Sequence, residues 1–251
     1  FFFLRYGGER CCTLFYWAAG EMGIRDRRMR CVMTVLPAAD GSATFEAGNT
    51  KVLAAAYGPR EAPLRSDALH DRCVVKVEFS QAAFSSDQRR RRGKGDRRSL
   101  ELGRVITRAL ETCIMTELMP RSQIDINVVV LQSDGGVRAA AMNACVLALA
   151  DAGVPLRDTM ASCSAGYLDG TCILDINHLE ESGGGPEIHV ASLVNLDKIV
   201  LVQSDHKCAI DVFEPTHALA LEGCKVVALV MREAMLRRTK DLAATRAAER
   251  L

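Results

Sequence analysis

The sequence predicts an α+β fold built from two similar halves, and three observations predict it. Strand-like runs of β-branched residues come in groups, two helix-period stretches interrupt them, and a third helix-period stretch closes the chain. The resulting order is strands, helix, strand, helix, strands, helix, which differs from the one-for-one alternation of a doubly wound parallel sheet. At 251 residues, with 49% hydrophobic and 25% charged side chains, the chain carries enough apolar material for a sizeable core without invoking disorder.

Each element has its own signal. Cys31 to Pro37 and Ser42 to Ala47 flank the turn residues AADG, and Gly-Asn-Thr leads into Lys51 to Tyr57, so an antiparallel hairpin or meander is expected. A further strand is expected at Arg72 to Ser80, after a loop that carries Arg60 and Arg65. From Ser99 apolar residues recur at 102, 105, 106, 109, 110, 113, 114 and 118, the spacing of an amphipathic helix, with Ser99 as its cap and Pro120 as its stop. Ile124 to Gln132 reads as a strand. Val137 to Ala150 reads as an Ala-rich helix, apolar nearly all round and hence central. Strands at Thr159 to Leu168, Thr171 to Ile176, Ile188 to Leu193 and Lys198 to Gln203 follow, then a last helix with a charged tail.

Composition limits the function classes. The net charge of +1 is uninformative until its distribution is seen: Gln88 to Arg98 reads QRRRRGKGDRR, with seven basic side chains around one aspartate. Such a run suits a solvated surface loop and a nucleic-acid contact equally. Ten cysteines lie scattered, mostly in apolar stretches, and none has zinc-finger spacing, so buried thiols in a reducing compartment are expected. No run of 18 apolar residues occurs, and no membrane association is expected. Residues 1–29 are set apart as an aromatic-rich leader with a poor n-region and a short apolar core for a signal peptide, and residues 30–251 are expected to form a single domain.

Three segments hold residues suited to chemistry. In LQSDGGVRAAAMNA a strand ends in Asp-Gly-Gly and a helix begins at once, so free N–H groups and the positive end of a helix dipole converge at Gly136 and Val137. Arg138 in the first turn adds a guanidinium able to grip phosphate in bidentate fashion. Arg97 and Arg98 stand at the start of the first long helix, which suggests one oxyanion site shared by two helix N-termini. In ILDINHLEESGGGPEIHV, Asp175 sits at a strand end, Glu180 and Glu181 follow in a loop, and Glu187 opens the next strand. Carboxylates six residues apart across a bend can meet, hold Mg²⁺, or donate a proton to a leaving hydroxyl. A phosphate seat, a carboxylate pair and a cationic loop in one chain match the needs of RNA phosphorolysis.

The succession DGSATFEAGNTKVLAAAYGPRE, FSSDQRRRRGKGDRRSLE, PRSQIDINVVVLQSDGG, ALADAGVPLRDTMASCSAGYLDG and ILDINHLEESGGG resembles, in order and spacing, the RNase PH family, over about Arg30 to Lys240. The resemblance implies a ribosomal-protein-S5-domain-2-like (RNase PH-like) fold with duplicated βαβ-type halves. It implies a place in the core ring of an RNA exosome, beside other RNase PH-like subunits and under S1/KH cap subunits, in the nucleus (nucleolus) and cytoplasm. The work implied is 3′-to-5′ RNA processing and degradation, including rRNA maturation and mRNA turnover, as an RNA-binding scaffold or as an active phosphate-dependent exoribonuclease using Mg²⁺ and inorganic phosphate. By resemblance Arg98 and Arg138, with Gly136 and Val137, bind phosphate, and Asp175 and Glu181 form the catalytic and metal-binding acid pair. Arg60, Arg65, Arg89, Arg90, Arg91, Arg92 and Arg97 fall in RNA-contacting regions. Two positions depart from active relatives: Val137 offers no hydroxyl where Ser or Thr is usual, and Glu181 is one methylene longer than the usual Asp.

Overall fold

The computed structural model describes residues 28–62, 69–86, 89, 96–168 and 170–248. The chain opens with three antiparallel strands, β1 (Met29–Met33), β2 (Gly41–Ala47) and β3 (Thr50–Glu61). β4 (Val74–Gln81) is followed by α1 (Arg97–Cys113), and β5 (Ser122–Gln132) inserts between β3 and β4, giving a five-stranded sheet in the order β1-β2-β3-β5-β4. β5 runs antiparallel to β3 but parallel to β4, so β4, α1 and β5 form a crossover unit. Then come α2 (Val137–Asp151), β6 (Met160–Leu168), β7 (Thr171–Leu174), the short α3 (His178–Ser182), β8 (Glu187–Leu193), β9 (Lys198–Ser204) and α4 (Ile210–Ala248). The second sheet is wholly antiparallel, in the order β7-β6-β8-β9.

α2 is the hinge of the packing. Every residue from Ala139 to Leu149 is buried, and the run of alanines leaves so little side-chain bulk that both sheets close on one helix. Asn143 is the polar exception. β7 pairs with β6 only at Ala165 to Leu168, so Ser162 has no strand neighbour on that side. The Asn143 amide replaces it: Nδ2 donates to the Ser162 carbonyl at 2.9 Å and Oδ1 accepts from the Ser162 N–H at 2.8 Å. One buried cluster runs from Phe45 and Ile126 through α2 to Val190 and Met231.

The predicted elements exist, with differences at their ends. β1 begins two residues before the predicted start and stops at Met33, because Thr34 takes a left-handed φ of 58° that breaks the strand. Ser99 is not the cap of α1: Asp96 occupies that position, and the Ser99 hydroxyl donates to its carboxylate at 3.2 Å. α1 ends at Cys113 rather than at Pro120, since Ile114 is extended and pairs with Leu156, and only a 3₁₀ turn at Thr116–Leu118 continues the apolar pattern. The acidic stretch after Asp175 is a helical turn, not a loop. Asn177 accepts from the Glu180 N–H while Glu180 accepts from the Asn177 N–H, a reciprocal capping box. Residues 1–27 of the expected leader at 1–29 lie outside the described residues, Met29 belongs to β1, and among the described residues no helix is long and apolar enough to cross a membrane.

Candidate functional site

The site is built where β5 gives way to α2. Gly135 and Gly136 both take left-handed φ values, 83° and 60°. A Cβ on Gly135 would stand 2.2 Å from the Ile176 carbonyl oxygen, and one on Gly136 would stand 2.9 Å from Asp175 Oδ1. Glycine is therefore required twice, once for the turn and once for the close approach of the β7–α3 junction. Polar contacts pin the turn from both sides. Thr50 Oγ1 donates to the Gly135 carbonyl at 2.8 Å and accepts from the Asp134 N–H, while Asn49 Nδ2 donates to Asp134 Oδ2 at 2.9 Å. Asp175 also has a left-handed φ, 56°, and its N–H donates to the Ser164 carbonyl, so its carboxylate is held against the N-cap glycine of α2.

Arg138, in the first turn of α2, is 17% exposed and donates from Nη1 to Asp205 Oδ1 at 2.8 Å. Behind it lie Glu187 and His189, two residues apart on β8 and both buried. Burial first, then the negative charges of Glu181 and Asp205, push the Glu187 carboxyl up to about 7, against the opposing pull of Arg138, with Asp175 adding to the rise. Burial and the Arg138 charge together push His189 down to about 4. His189 Nε2 lies 3.4 Å from Glu187 Oε1, but the imidazole is neutral, so this contact is no ion pair. Ser164, His189 and Gln203 stand opposite one another across β6, β8 and β9, forming a polar row behind the acid.

Two segments of the chain match the family described as 3′ exoribonuclease family, residues 25–155 its domain 1 and residues 158–231 its domain 2. The chain belongs to the RNase PH family of 3′ exoribonucleases. Among its RNase PH relatives, the exosome complex component RRP41 homolog of Arabidopsis thaliana is 52% identical over 230 residues, 90% of this chain and 95% of that protein. Human exosome complex component RRP41 is 45% identical over 210 residues, 83% of this chain and 84% of that protein. Exosome complex component Rrp41 of Thermococcus onnurineus is 42% identical over 83% of this chain and 84% of that protein. Rice (Oryza sativa) Rrp46 superposes with a TM-score of 0.74 at 25% identity, covering 83% of this chain and 95% of that structure. The α+β, RNase PH-like fold class expected from the sequence is thus the one observed.

Gly136, Val137, Arg138 and Asp175 meet at one place, and Glu181, exposed on α3, is near enough for its charge to act on Glu187. Arg97 and Arg98 are exposed at the start of α1. α1 and β4 are each about 25 Å long and run in opposite directions, so α1 starts level with the end of β4, the same sheet edge from which α2 departs. Among the described residues no hydrogen bond or ion pair ties Arg98 to the Arg138 site. Arg60 is far from this place: it pairs across from Gln123, about 30 Å of β5 away from the α2 turn, where it bonds Asp40 at 3.0 Å and lies over the Tyr57 ring. Arg89 is exposed, and Arg65, Arg90, Arg91 and Arg92 lie outside the described residues.

Glu187 is among the acidic residues read from the sequence, with the proton-donor role expected of one member of the Asp175 and Glu181 pair; Asp205 and His189 are not among the expected site residues. The available signal for Glu187 was strand alternation in EIHV, which puts positions 187 and 189 on one face. Among the described residues no three His, Cys, Asp or Glu side chains group closely enough for a protein-only metal site. Asp175 and Glu181 are carboxylates of the kind Mg²⁺ takes one or two at a time, with water and substrate phosphate completing its shell.

Proposed function

We propose that this chain is a core ring subunit of the RNA exosome, acting in 3′-to-5′ RNA processing and degradation by binding RNA and scaffolding the complex. The observation that carries this reading is 52% identity, over 95% of its length, to a protein named as an exosome complex component, with like-named relatives in mammals and archaea. Its partners are RNA, other RNase PH-like ring subunits and S1/KH cap subunits, in the nucleus (nucleolus) and cytoplasm. A tagged chain purified from cells that brings down none of these subunits refutes the reading.

A second reading is favoured by one specific observation, the buried acid Glu187 beside Arg138 at a helix N-terminus: the chain is itself a phosphorolytic exoribonuclease. Inorganic phosphate sits on the α2 N-terminus under Arg138, with Arg98 reaching it from α1. A phosphate oxygen attacks the phosphorus of the last phosphodiester, the P–O3′ bond breaks, and the terminal nucleotide leaves as a nucleoside diphosphate. The departing 3′ oxygen takes its proton from Glu187, which burial keeps half protonated near neutrality. Asp175 and Glu181 would be the residues that hold Mg²⁺, which when bound would supply positive charge to neutralise phosphate. The assembled ring, incubated with RNA with and without phosphate, tests this: absence of phosphate-stimulated nucleoside diphosphate release ends it.

A further inference from the structure

We propose that Asp205 is the positioning residue that holds the Arg138 guanidinium on the phosphate seat; the proposal rests on the phosphorolytic reading above. Arg138 springs from the first half of the fold and Asp205 from the second, so their 2.8 Å bond crosses between the two sheets. Asp205 directly follows β9, and its N–H donates to the Glu187 carbonyl, one residue past the pairing of Ile188 with Ser204. The carboxylate is therefore mounted on an extension of the ladder and not on a free loop. Burial alone would raise its pKa, but the hydrogen bond and charge of Arg138 outweigh that and hold it ionised.

The geometry leaves the seat usable. A guanidinium carries five N–H groups in a planar fork, and Asp205 engages Nη1, so the remaining donors stay available to a phosphate. An arginine at a helix start with no such anchor spreads over many rotamers and loses entropy each time an anion binds. The opposite outcome is also physical: a carboxylate bonded to the arginine could compete with phosphate for it. The two differ in sign.

The assembled ring is assayed for phosphorolysis of a single-stranded RNA over a phosphate titration, for wild type, Asp205→Asn and Asp205→Ala, with melting temperatures measured in parallel. Positioning predicts that Asp205→Ala raises the KM for phosphate on the order of tenfold while kcat stays within about twofold and the KM for RNA is unchanged. Asp205→Asn, whose amide oxygen still accepts from Arg138, gives a smaller rise. If Asp205→Ala fails to fold, the isosteric Asp205→Asn decides alone. An unchanged or lowered phosphate KM in a folded variant of an active ring overturns the positioning role and leaves phosphorolysis standing. A wild-type ring that releases no nucleoside diphosphate overturns the phosphorolytic reading and this proposal with it.

Discussion

A glutamate in water ionises near pH 4, and Glu187 is held near 7 by its surroundings alone. Five charged or titratable groups face it: Glu181 from α3, Asp175 from the end of β7, Asp205 from beyond β9, Arg138 from α2 and His189 from its own strand. Because the folded value lies above the unfolded 4.5, Glu187 contributes stability that is complete below about 4.5 and lost as pH rises through about 7. His189 acts in the other direction: its depressed value gives stability present above 6.5 and lost as pH falls through about 4. Glu187→Gln is expected to abolish phosphate-dependent release, a loss of roughly 10²- to 10⁴-fold, and to flatten the fall in stability that the raised pKa implies for wild type as pH rises through about 7. Denaturant unfolding on either side of that pH measures the second effect independently of activity, and an unaltered pH dependence removes Glu187 as the buried acid. The candidate site was legible at Gly136 and Arg138 because a strand-Gly-Gly-helix junction leaves a local mark, and at Asp175 because it stands at a strand end ahead of an acidic stretch. Glu187 and Asp205 were illegible as parts of it, since what qualifies them is burial and charge contributed by segments far away in the chain.

α2 shows the same division at the scale of an element. Its all-round apolar sequence announced a buried helix, and it is one, because periodicity is carried by the residues themselves. What the periodicity cannot carry is the reason for Asn143, which lies in the neighbouring strand's unpaired edge. Asn143→Ala leaves the Ser162 N–H and C=O buried without their partners, at a cost of roughly 2–4 kcal/mol; Asn143→Asp keeps the acceptor but strands the carbonyl beside a charge. Chemical denaturation is expected to show both variants destabilised, and a change below about 0.5 kcal/mol in Asn143→Ala contradicts the strand-replacement role. The end of α1 misled for a related reason. Apolar spacing continued past Cys113, but the pairing of Ile114 with Leu156 draws the backbone into extended form, and tertiary contact overrides the local pattern.

At the scale of the whole molecule, one sequence run and one strand edge are the features to test for RNA binding and assembly. The basic run that includes Arg89 is visible as composition alone, and under the proposed RNA-binding role its contribution is electrostatic. Replacing Arg89, Arg90, Arg91 and Arg92 with alanine is expected to weaken RNA binding across sequences and to make the slope of log K against log salt shallower by up to about 3. The strand edge is that of β9, an outer strand of the second sheet whose Ile199 and Val202 are 49% and 39% exposed, with Leu196 exposed just before it. An uncovered edge bearing apolar side chains invites pairing or aggregation, and natural edges of lone proteins are blunted by charge or proline. β9 carries Lys198 at its start but neither charge nor proline from Ile199 to Ser204, an uncharged stretch that fits a chain whose edge is covered by a neighbouring subunit. The double variant Ile199→Lys and Val202→Lys changes side chains that already face solvent, so the chain alone should fold with little loss of stability. Its capture of ring subunits in a pull-down should fall sharply. Full recovery of the partners with both lysines in place would mean that β9 lies outside the ring contacts and that its apolar edge needs another explanation.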